Sequence, residues 1–588
     1  MNLNSLGLLS LVAATVLLSA CGGNNNTVTP SPITGLAAVG APISSGVLSA
    51  VDVGGRTAST TIADDGTYSI DFLSRLQPPV LIKAEGVSGG RSTVHFGVIT
   101  STTATTVNVT PVSTAVVAQV MQADPGVVFA TADTSKIALL TTSQVTATNA
   151  IIGNVLSAAR TAAGISGDGA LDFLTTPFSA DKTGLDKVLD LVKISIQPDQ
   201  SVHVKNKTSD GVAIVSLAGN LSGNLGTVEL IDTAGIDLLG KDLQAAFRGG
   251  WKINSELVLN LFSNDFFQEG VDKSTIIQWI SEDFIDMKGL NVLPAKILNC
   301  SINDSAPICD VLFAIKYSDG AFEPFIFPVR REGGYWKIYG DQSPVYTEYG
   351  AVVYRTVSGN NSVETISGFN IQVDDDAVIG DTKVGYVKAW FGRVTAESPD
   401  RSPDFVFVNP KEVAGSCNNV TSGGFLRILT NQSDNNTCQG NFARLSDNRI
   451  DQLRASFSNV RPKITVFYYD VDGNRIPNAQ HVINVESLPL KPSEVTDGYF
   501  ATVTDSSWSQ FAAANLESEF TLVVSKGASV GLEDVIGAGP LGSSLDAQRL
   551  PFSTVRTGSS WRVLKTNNSL ITVTRDADGR MYWYQRQE

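Results

Sequence analysis

Apolar positions along this chain follow two spacings, and the spacing changes from one region to the next. From residue 33 to about 109, small apolar and polar residues alternate in short runs that end at Gly or Asp-Asp-Gly turns. At 112–121, 143–164 and 185–192, apolar residues instead recur every three or four positions. Alternation predicts half-buried strands, and the wider spacing predicts amphipathic helices. We therefore predict an N-terminal β-sandwich at 33–110 and a small helical segment with a β stretch at 111–235.

The same reasoning applies to the second half of the chain. Between 236 and 345, an aromatic-rich helical stretch precedes strand-like runs at 295–299, 309–317 and 322–330, which predicts an α+β domain. From 346 to 588 the alternation is continuous and predicts a C-terminal β-sandwich region of one or two domains. The predicted fold class is multidomain and mainly β.

The first 32 residues have a different pattern. An apolar run at 6–18 ends in Leu18-Ser19-Ala20-Cys21, and the polar run Gly-Gly-Asn-Asn-Asn follows. This junction resembles the lipobox of bacterial lipoproteins, in which the Cys thiol carries diacylglycerol after cleavage before it. The resemblance implies a signal peptide at 1–20, lipid on Cys21 and a tether at 21–32. An ordinary secretory signal with a chance Cys is the alternative, because the run is too short to span a membrane.

Two details of this region bear on the lipoprotein interpretation. No Lys or Arg precedes Arg56, so the basic stretch that usually opens such signals is missing. Gly22, rather than Asp, follows the lipidated Cys, which by analogy with enterobacterial sorting favours the outer membrane. The expected partner is therefore the membrane, reached through the N-terminal lipid, with the body of the protein periplasmic or exposed on the surface.

Composition narrows the function classes. The formal net charge is −15 and only 17% of residues are charged. Nucleic-acid binding is therefore not expected, because no basic stripe is present to displace phosphate counterions. Plentiful Gly, Ser, Thr and Val is typical of exported β proteins.

Four cysteines remain besides Cys21, and they allow three pairings. We favour the sequence-local pairs Cys300–Cys309 and Cys417–Cys438, in the oxidising environment of an exported protein. Free thiols are the alternative. Neither pair has the spacing of a redox or zinc site, so they are expected to be structural.

Two segments resemble known domain families. Residues 63–70, Ala-Asp-Asp-Gly-Thr-Tyr-Ser-Ile, resemble the hairpin of carboxypeptidase-regulatory-like (transthyretin-like) domains, in which the Gly takes a positive φ and the Tyr packs inward. Gly334, Trp336, Lys337, Ile338 and Gly340 are similar to a motif of the cone-shaped nuclear-transport-factor-two-like fold. The phrase at 176–190 also resembles one found in uncharacterised Gram-negative lipoproteins.

The second resemblance implies a conical pocket in the α+β domain. Trp336 and Phe327 would lie on central strands with their side chains turned inward. Phe266 and Trp279 would lie on helices and cover the open face of the sheet. These four residues are the candidate ligand pocket, which would suit an apolar or stacking ligand. The alternative is a filled core.

Catalytic and metal-binding patterns are weak throughout. The three histidines, His95, His203 and His481, all lie outside the cone-like domain, which excludes an Asp–His pair in its pocket. Ser529 sits in a G-x-S-x-G pattern, but no His follows it in the order of α/β-hydrolases. The acidic runs are more simply interpreted as turns and helix starts than as metal sites, and they lie at 374–376, 470–474, 576–579 and 181–190. No metal and no cofactor is expected.

The leading hypothesis is a lipid-anchored, non-enzymatic binding or structural protein of the cell envelope, with a glycan, a peptide or an envelope protein as ligand. An envelope hydrolase or carbohydrate-active enzyme with an unrecognised carboxylate site is the alternative. A third possibility is an assembly partner in a larger outer-membrane complex. A carboxylate pair facing a cleft would favour the enzyme, and a flat apolar patch on the C-terminal region would favour the assembly partner.

Overall fold

The structure is a computed structural model, and it describes most of the chain from residue 32 onward. The described residues are 32–71, 75–165, 172–287, 290–302, 306–317, 322–358, 362–392, 394, 402–417, 424–431, 434–458, 460–516, 518–525, 530–536, 538–539, 549–551 and 560–587. Cys21 and Ser529 lie outside them. The multidomain, mainly β fold predicted from the sequence is confirmed, with 41% strand against 23% helix. Within the described residues, no helix is long and apolar enough to cross a membrane.

The N-terminal module consists of two β layers. Its strands are β1 (Ile33–Leu36), β2 (Ser44–Asp52), β3 (Thr57–Ile62), β4 (Thr67–Ile70), β5 (Val80–Ser88) and β6 (Arg91–Ile99). One antiparallel sheet has the order β3-β2-β5-β6, and β1 pairs with β4 in the second layer. Buried aliphatic residues from both layers form its core.

The turn at 63–66 has the predicted conformation. Gly66 has a φ of +84°, and a Cβ there would lie 2.6 Å from the carbonyl oxygen of Ala37, so only glycine fits. Tyr68 follows in β4, is buried, and donates its hydroxyl to the carbonyl of Val107. The positive φ and the inward Tyr are both confirmed.

Helices and a small sheet follow. The helices are α1 (Pro111–Met121), α2 (Pro125–Thr131), α3 (Thr134–Ile137), α4 (Thr142–Val155), α5 (Ser157–Ala162) and α6 (Gly184–Leu191). The strands are β7 (Val192–Ile196), β8 (Val202–Asn206), β9 (Val212–Val215) and β10 (Leu221–Asn224), in one antiparallel sheet.

Local signals explain where these helices begin and end. Thr110 caps α1 by accepting from the amide of Ser113, and Pro111 occupies its first turn, where no amide donor is needed. The single helix predicted at 143–164 is wrong in one respect, because the chain forms two helices joined at Leu156.

The third module places helices against an antiparallel sheet. Its helices are α7 (Thr233–Arg248), α8 (Glu256–Leu261) and α9 (Lys273–Met287). Its strands are β11 (Phe267–Gln268), β12 (Val271–Asp272), β13 (Asn291–Val292), β14 (Lys296–Ser301), β15 (Ile308–Lys316), β16 (Phe322–Glu332) and β17 (Tyr335–Ile338). The sheet order is β13-β15-β16-β17, and β14 also pairs with β15. One apolar cluster runs from the helical segment into this module, so the two share a core.

The C-terminal region contains three larger sheets. Its first strands are β18 (Thr347–Val357), β19 (Val363–Val373), β20 (Val378–Ile379), β21 (Thr382–Lys383), β22 (Tyr386–Phe391), β23 (Phe405–Val408), β24 (Arg427–Asn431), β25 (Asp434–Gln439) and β26 (Phe442–Arg444). After α10 (Asp447–Ser456) come β27 (Lys463–Tyr469), β28 (Arg475–Asn484) and β29 (Thr502–Val503). After α11 (Asp505–Ala513) come β30 (Glu519–Ser525), β31 (Gly531–Ile536), β32 (Ala538–Gly539), β33 (Arg549–Pro551), β34 (Ser560–Lys565), β35 (Ser569–Arg575) and β36 (Met581–Gln587).

Strand order in these sheets links distant parts of the chain. A seven-stranded sheet has the order β26-β19-β18-β36-β35-β31-β33, in which β36 runs parallel to β18. A six-stranded sheet has the order β25-β24-β23-β22-β27-β28. Apolar residues of these two sheets form one buried cluster. The four-stranded sheet β29-β30-β34-β32 packs with α11. The acidic runs at 470–474 and 576–579 are hairpin turns, as predicted.

Both predicted disulfides are confirmed. Cys300 and Cys309 lie directly opposite each other on β14 and β15, so this bridge joins neighbouring strands. Cys417 is bonded to Cys438 of β25.

Candidate functional site

The four residues predicted to line a pocket in the third module do not form one. Phe266 is buried against Phe262, at 5.1 Å between ring centroids. Phe327 is half-buried and contacts Phe325 on the same strand. Trp336 is buried and donates its indole N–H to the carbonyl of Asp232 at 3.1 Å. Among the described residues, no ring contact joins any two of the predicted four.

Three placements in that prediction are wrong. Trp279 is 49% exposed because α9 turns Ile276, Ile277 and Ile280 toward the core instead. Phe266 precedes β11 in a loop and is not helical. Trp336 lies on β17, which is an edge strand of the sheet. Phe266, Phe327 and Trp336 therefore make core contacts, whereas Trp279 does not.

A cavity lies where the four modules of the chain meet. It has a volume of about 450 Å³ and is walled by β6, β7, β8, β14, residues 457–458 and 460–462, and the turn between β35 and β36. Volumes of about 300–1,000 Å³ are typical of small-ligand pockets. Every module therefore contributes residues to one cavity.

The cavity is strongly cationic although the chain as a whole is acidic. Three carboxylates line it: Asp210, Glu486 and Asp576. Nine cationic side chains line it: Arg91, Lys193, Lys205, Lys207, Lys296, Arg454, Arg461, Arg575 and Arg580. A net positive interior in a chain of charge −15 is the feature that separates this space from the rest of the surface.

Two carboxylates form ion pairs with some of these cations. Glu486 accepts a hydrogen bond from Arg91 at 3.1 Å and lies 3.7 Å from Nζ of Lys193. Burial opposes its charged form, but Arg91 and Lys193 outweigh burial and lower the pKa of Glu486 to about 2. Gly579 makes this approach possible, because a Cβ there would lie 2.3 Å from Oε2 of Glu486.

Asp578 is the second buried carboxylate and lies beside the cavity. It is 3.0 Å from Nη1 of Arg580, 3.5 Å from Nζ of Lys205 and 3.9 Å from Nζ of Lys193. Burial raises the pKa of Asp578, but Lys205 and Arg580 hold it well below its usual range. Both carboxylates therefore remain ionised and bind cations.

Lys296 is different, because within the described part of the chain its Nζ has no hydrogen bond and no carboxylate within 4.0 Å. It lies at the start of β14 and is partly buried in the cavity wall. Burial, together with Arg91 and Lys193, lowers the pKa of Lys296 to about 8. Among the described residues this amine therefore has no direct ion-pair partner, and Glu486 acts on it only from farther away.

Within the described residues, the side chains of two further cations near it have only neutral hydrogen-bond partners. Lys207 is buried and donates to the carbonyl of Leu189 at 3.0 Å, and burial lowers its pKa to about 7. Arg461 donates to Oδ1 of Asn299 at 2.7 Å and to the carbonyl of Lys207 at 3.4 Å. Carboxylates act on these two side chains from farther away: Asp190 on Lys207, and Asp310 and Asp210 on Arg461.

Two of the three histidines line the same cavity. His95 is buried and its Nδ1 lies 3.1 Å from the hydroxyl of Thr114. Burial and the charge of Lys296 lower the pKa of His95 to about 3, so its imidazole is neutral at pH 7. Burial and Lys205 also lower the pKa of His203.

The acidic run at 181–190 forms a buried ion-pair network. Asp186 accepts from the amide of Lys182 at 2.8 Å, and Asp190 lies 3.2 Å from Nζ of the same lysine. That Nζ also donates to the carbonyl of Gly40, which links α6 to the N-terminal module. Burial raises the pKa of Asp186 to about 7. The helix-start interpretation missed this burial.

A second acidic run lies at 374–376, where the three carboxylates approach within 4.8 Å of one another. Lys411 bonds to Asp376 and lies 3.8 Å from Asp375, so a side chain of the protein already compensates part of the charge.

Sequence reasoning missed the cavity because its cations come from four separate regions. The one local signal is a pair of lysines within otherwise apolar strands. Lys193 in Val-Lys-Ile-Ser-Ile lies opposite Lys205 in Val-His-Val-Lys-Asn. A charged residue in a buried strand indicates a partner or a ligand.

Comparison with known proteins gives no family assignment. The chain matches no protein-family model and no curated protein sequence.

Proposed function

We propose that this chain is a non-enzymatic binding protein of the bacterial cell envelope whose modules enclose a cavity for an anionic ligand. We further propose that lipid on Cys21 holds it at the outer membrane. The observation that carries the binding proposal is Lys296, an amine in the cavity wall without a carboxylate partner. The two disulfides support an oxidising location outside the cytoplasm.

The electrostatic argument rests on the cost of burying charge. A cation removed from water is destabilising unless it is paired. Lys193 and Lys205 are paired with Glu486 or Asp578, whereas Lys296 lacks such a pair. An anion in the cavity would supply the missing negative charge. Natural proteins keep destabilising groups of this kind mainly at functional sites.

The lining also indicates the general shape of the ligand. Apolar side chains lie beside the cations on the same wall, among them Val192, Ile194, Ile297 and Val485. A ligand that combines an anionic group with an apolar part would contact both. Inorganic anions would occupy only the cationic end.

Acid–base catalysis has less support at this site. Glu486 and Asp578 are held ionised by cations, so neither supplies the protonated carboxyl that a glycosidase pair needs. Burial lowers the pKa of His95 to about 3 and also lowers the pKa of His203, which favours the neutral imidazoles.

Calorimetry on the intact lipidated protein in detergent tests the proposal. Citrate, as a multivalent anion, is titrated at low ionic strength into the wild type, Lys296→Met and the control Lys241→Met. Lys241 is 73% exposed and pairs with Asp237 on α7, so the control changes net charge equally far from the cavity. We expect the wild type and the control to bind and Lys296→Met to lose at least tenfold in affinity. Equal affinity of all three proteins contradicts the proposal.

A further inference from the structure

We propose that Lys296 captures its ligand covalently, as a Schiff base between its amine and an aldehyde or ketone group of the anionic ligand. This inference rests on the proposed anion-binding function and names the ligand class: an anion that carries a reactive carbonyl group, such as a 2-oxo acid or an aldehyde acid.

The first argument is the placement of the side chain. Lys296 pairs with Leu312 across β14 and β15, and the turn at Gly89 approaches its Cβ from the N-terminal module. Backbone pairing and this close contact hold the base of the side chain. The amine at its end lines the cavity and has no hydrogen-bond partner among the described residues.

The second argument is the charge around the amine. Five charged groups act on it: Arg91, Lys182, Lys193, Lys207 and Glu486. Glu486, the one carboxylate of this set, already binds Arg91 and Lys193. Neighbouring cations and burial favour the neutral amine, which is the nucleophilic form.

A fraction of Lys296 is therefore in the neutral, nucleophilic form near pH 7. With a pKa of about 8, roughly a tenth of Lys296 is neutral at pH 7, compared with less than a thousandth for an ordinary lysine. A lysine that served only as a fixed positive charge would gain from a carboxylate or carbonyl contact, as Lys207 does. Lys296 has neither contact.

The chemical step balances without an oxidant or a reductant. The nitrogen lone pair attacks the carbonyl carbon and forms a C–N bond, which gives a carbinolamine. Loss of the former carbonyl oxygen as water then gives the imine. The proton of the ammonium that forms on attack passes to the former carbonyl oxygen, which leaves as that water. Hydrolysis reverses the step, so capture requires no turnover.

Reductive trapping tests the proposal. The intact lipidated protein is incubated with glyoxylate, the smallest anionic aldehyde, or with propanal, an uncharged aldehyde of similar size. Borohydride converts any imine to a stable secondary amine, and peptide mass spectrometry locates it. We expect glyoxylate to give one main adduct per chain, on Lys296, at least tenfold above any exposed lysine such as Lys241. Propanal should show no such preference, and excess citrate should suppress labelling by glyoxylate.

The outcomes separate this inference from the proposed function. If citrate binds but glyoxylate labels surface lysines as well as Lys296, covalent capture is wrong and anion binding stands. If Lys296 is labelled selectively by both aldehydes and citrate does not compete, the amine is reactive but the anion site is wrong. Lys296→Arg keeps the charge without the nucleophile, so it should retain citrate binding and lose the main adduct. An unchanged adduct in that variant overturns the inference.

Discussion

Replacing Lys296 with methionine should stabilise the unliganded protein. Methionine keeps a long unbranched side chain and removes the charge. The pKa of Lys296 is about 8, against an ordinary value of 10.5. At about 1.4 kcal/mol for each pH unit, the folded state is destabilised by about 3 kcal/mol at pH 7 relative to a lysine that remains in water. This is an upper bound for the gain in Lys296→Met.

The pH dependence of this gain has a definite sign. Because the folded-state pKa is lower than the unfolded one, the unfolded chain binds the proton more tightly. Below pH 8 the lysine is charged in both states and the penalty is complete. Between pH 8 and 10.5 the folded state has lost the proton and the unfolded state has not, so wild-type stability from this group rises. The advantage of Lys296→Met should therefore disappear toward pH 10.5.

Urea unfolding measured through the buried Trp251 and Trp336 provides the assay, because both lie in the module that contains β14. The free energy of unfolding is compared at pH 7 and pH 10 for the wild type, Lys296→Met and Lys241→Met. The Lys241 variant should match the wild type at both values. A destabilised Lys296→Met at pH 7, or an advantage as large at pH 10 as at pH 7, would refute the reasoning.

Four further predictions concern the anchor, the disulfide, the core and the ion pairs. Cys21→Ser should leave the protein unlipidated and move it from the membrane to the soluble fraction, and unchanged mass and retention would contradict this. Replacing Cys300 and Cys309 together with serine should lower the free energy of unfolding by about 2–3 kcal/mol, since the closed loop is short; chemical denaturation of the oxidised wild type is the reference. Trp336→Ala should lower it by about 3–5 kcal/mol through loss of a buried ring, and a loss below 1 kcal/mol would show that the site repacks. Asp578→Asn removes a buried charge that three cations share, so a loss of about 3–5 kcal/mol is expected at pH 7. The stability difference between Asp578→Asn and the wild type should shrink below about pH 4, because the carboxyl of the unfolded wild type is then protonated and the ion pairs no longer stabilise the folded state. A stability difference that does not change with pH would be evidence against the ion-pair explanation.

Several features of this protein follow from short stretches of sequence alone. Pro111 after a threonine predicts the start of α1, and Asp-Asp-Gly before a tyrosine predicts the hairpin at 63–70. The spacing of Cys300 and Cys309 also predicts their pairing, because the two strands that carry them are adjacent in the chain. In each case the interaction that decides the structure joins residues a few positions apart.

Other features are decided only by tertiary structure. Trp279 has the spacing of a core residue, yet it is exposed because neighbouring isoleucines already fill the interface of α9. The strand of Trp336 is easily recognised, but its position at the sheet edge depends on strand order.

The cavity is the feature that depends most clearly on tertiary structure. Arg91, Lys193, Lys296 and Glu486 lie far apart in the chain, and each alone resembles an ordinary surface charge. Their importance comes from desolvation, which acts only after distant segments meet and remove them from water. Apolar periodicity reports which face of a strand is buried, but it does not report which charges will share the buried space. The sequence therefore determines the modules, and the packing of the modules determines the site.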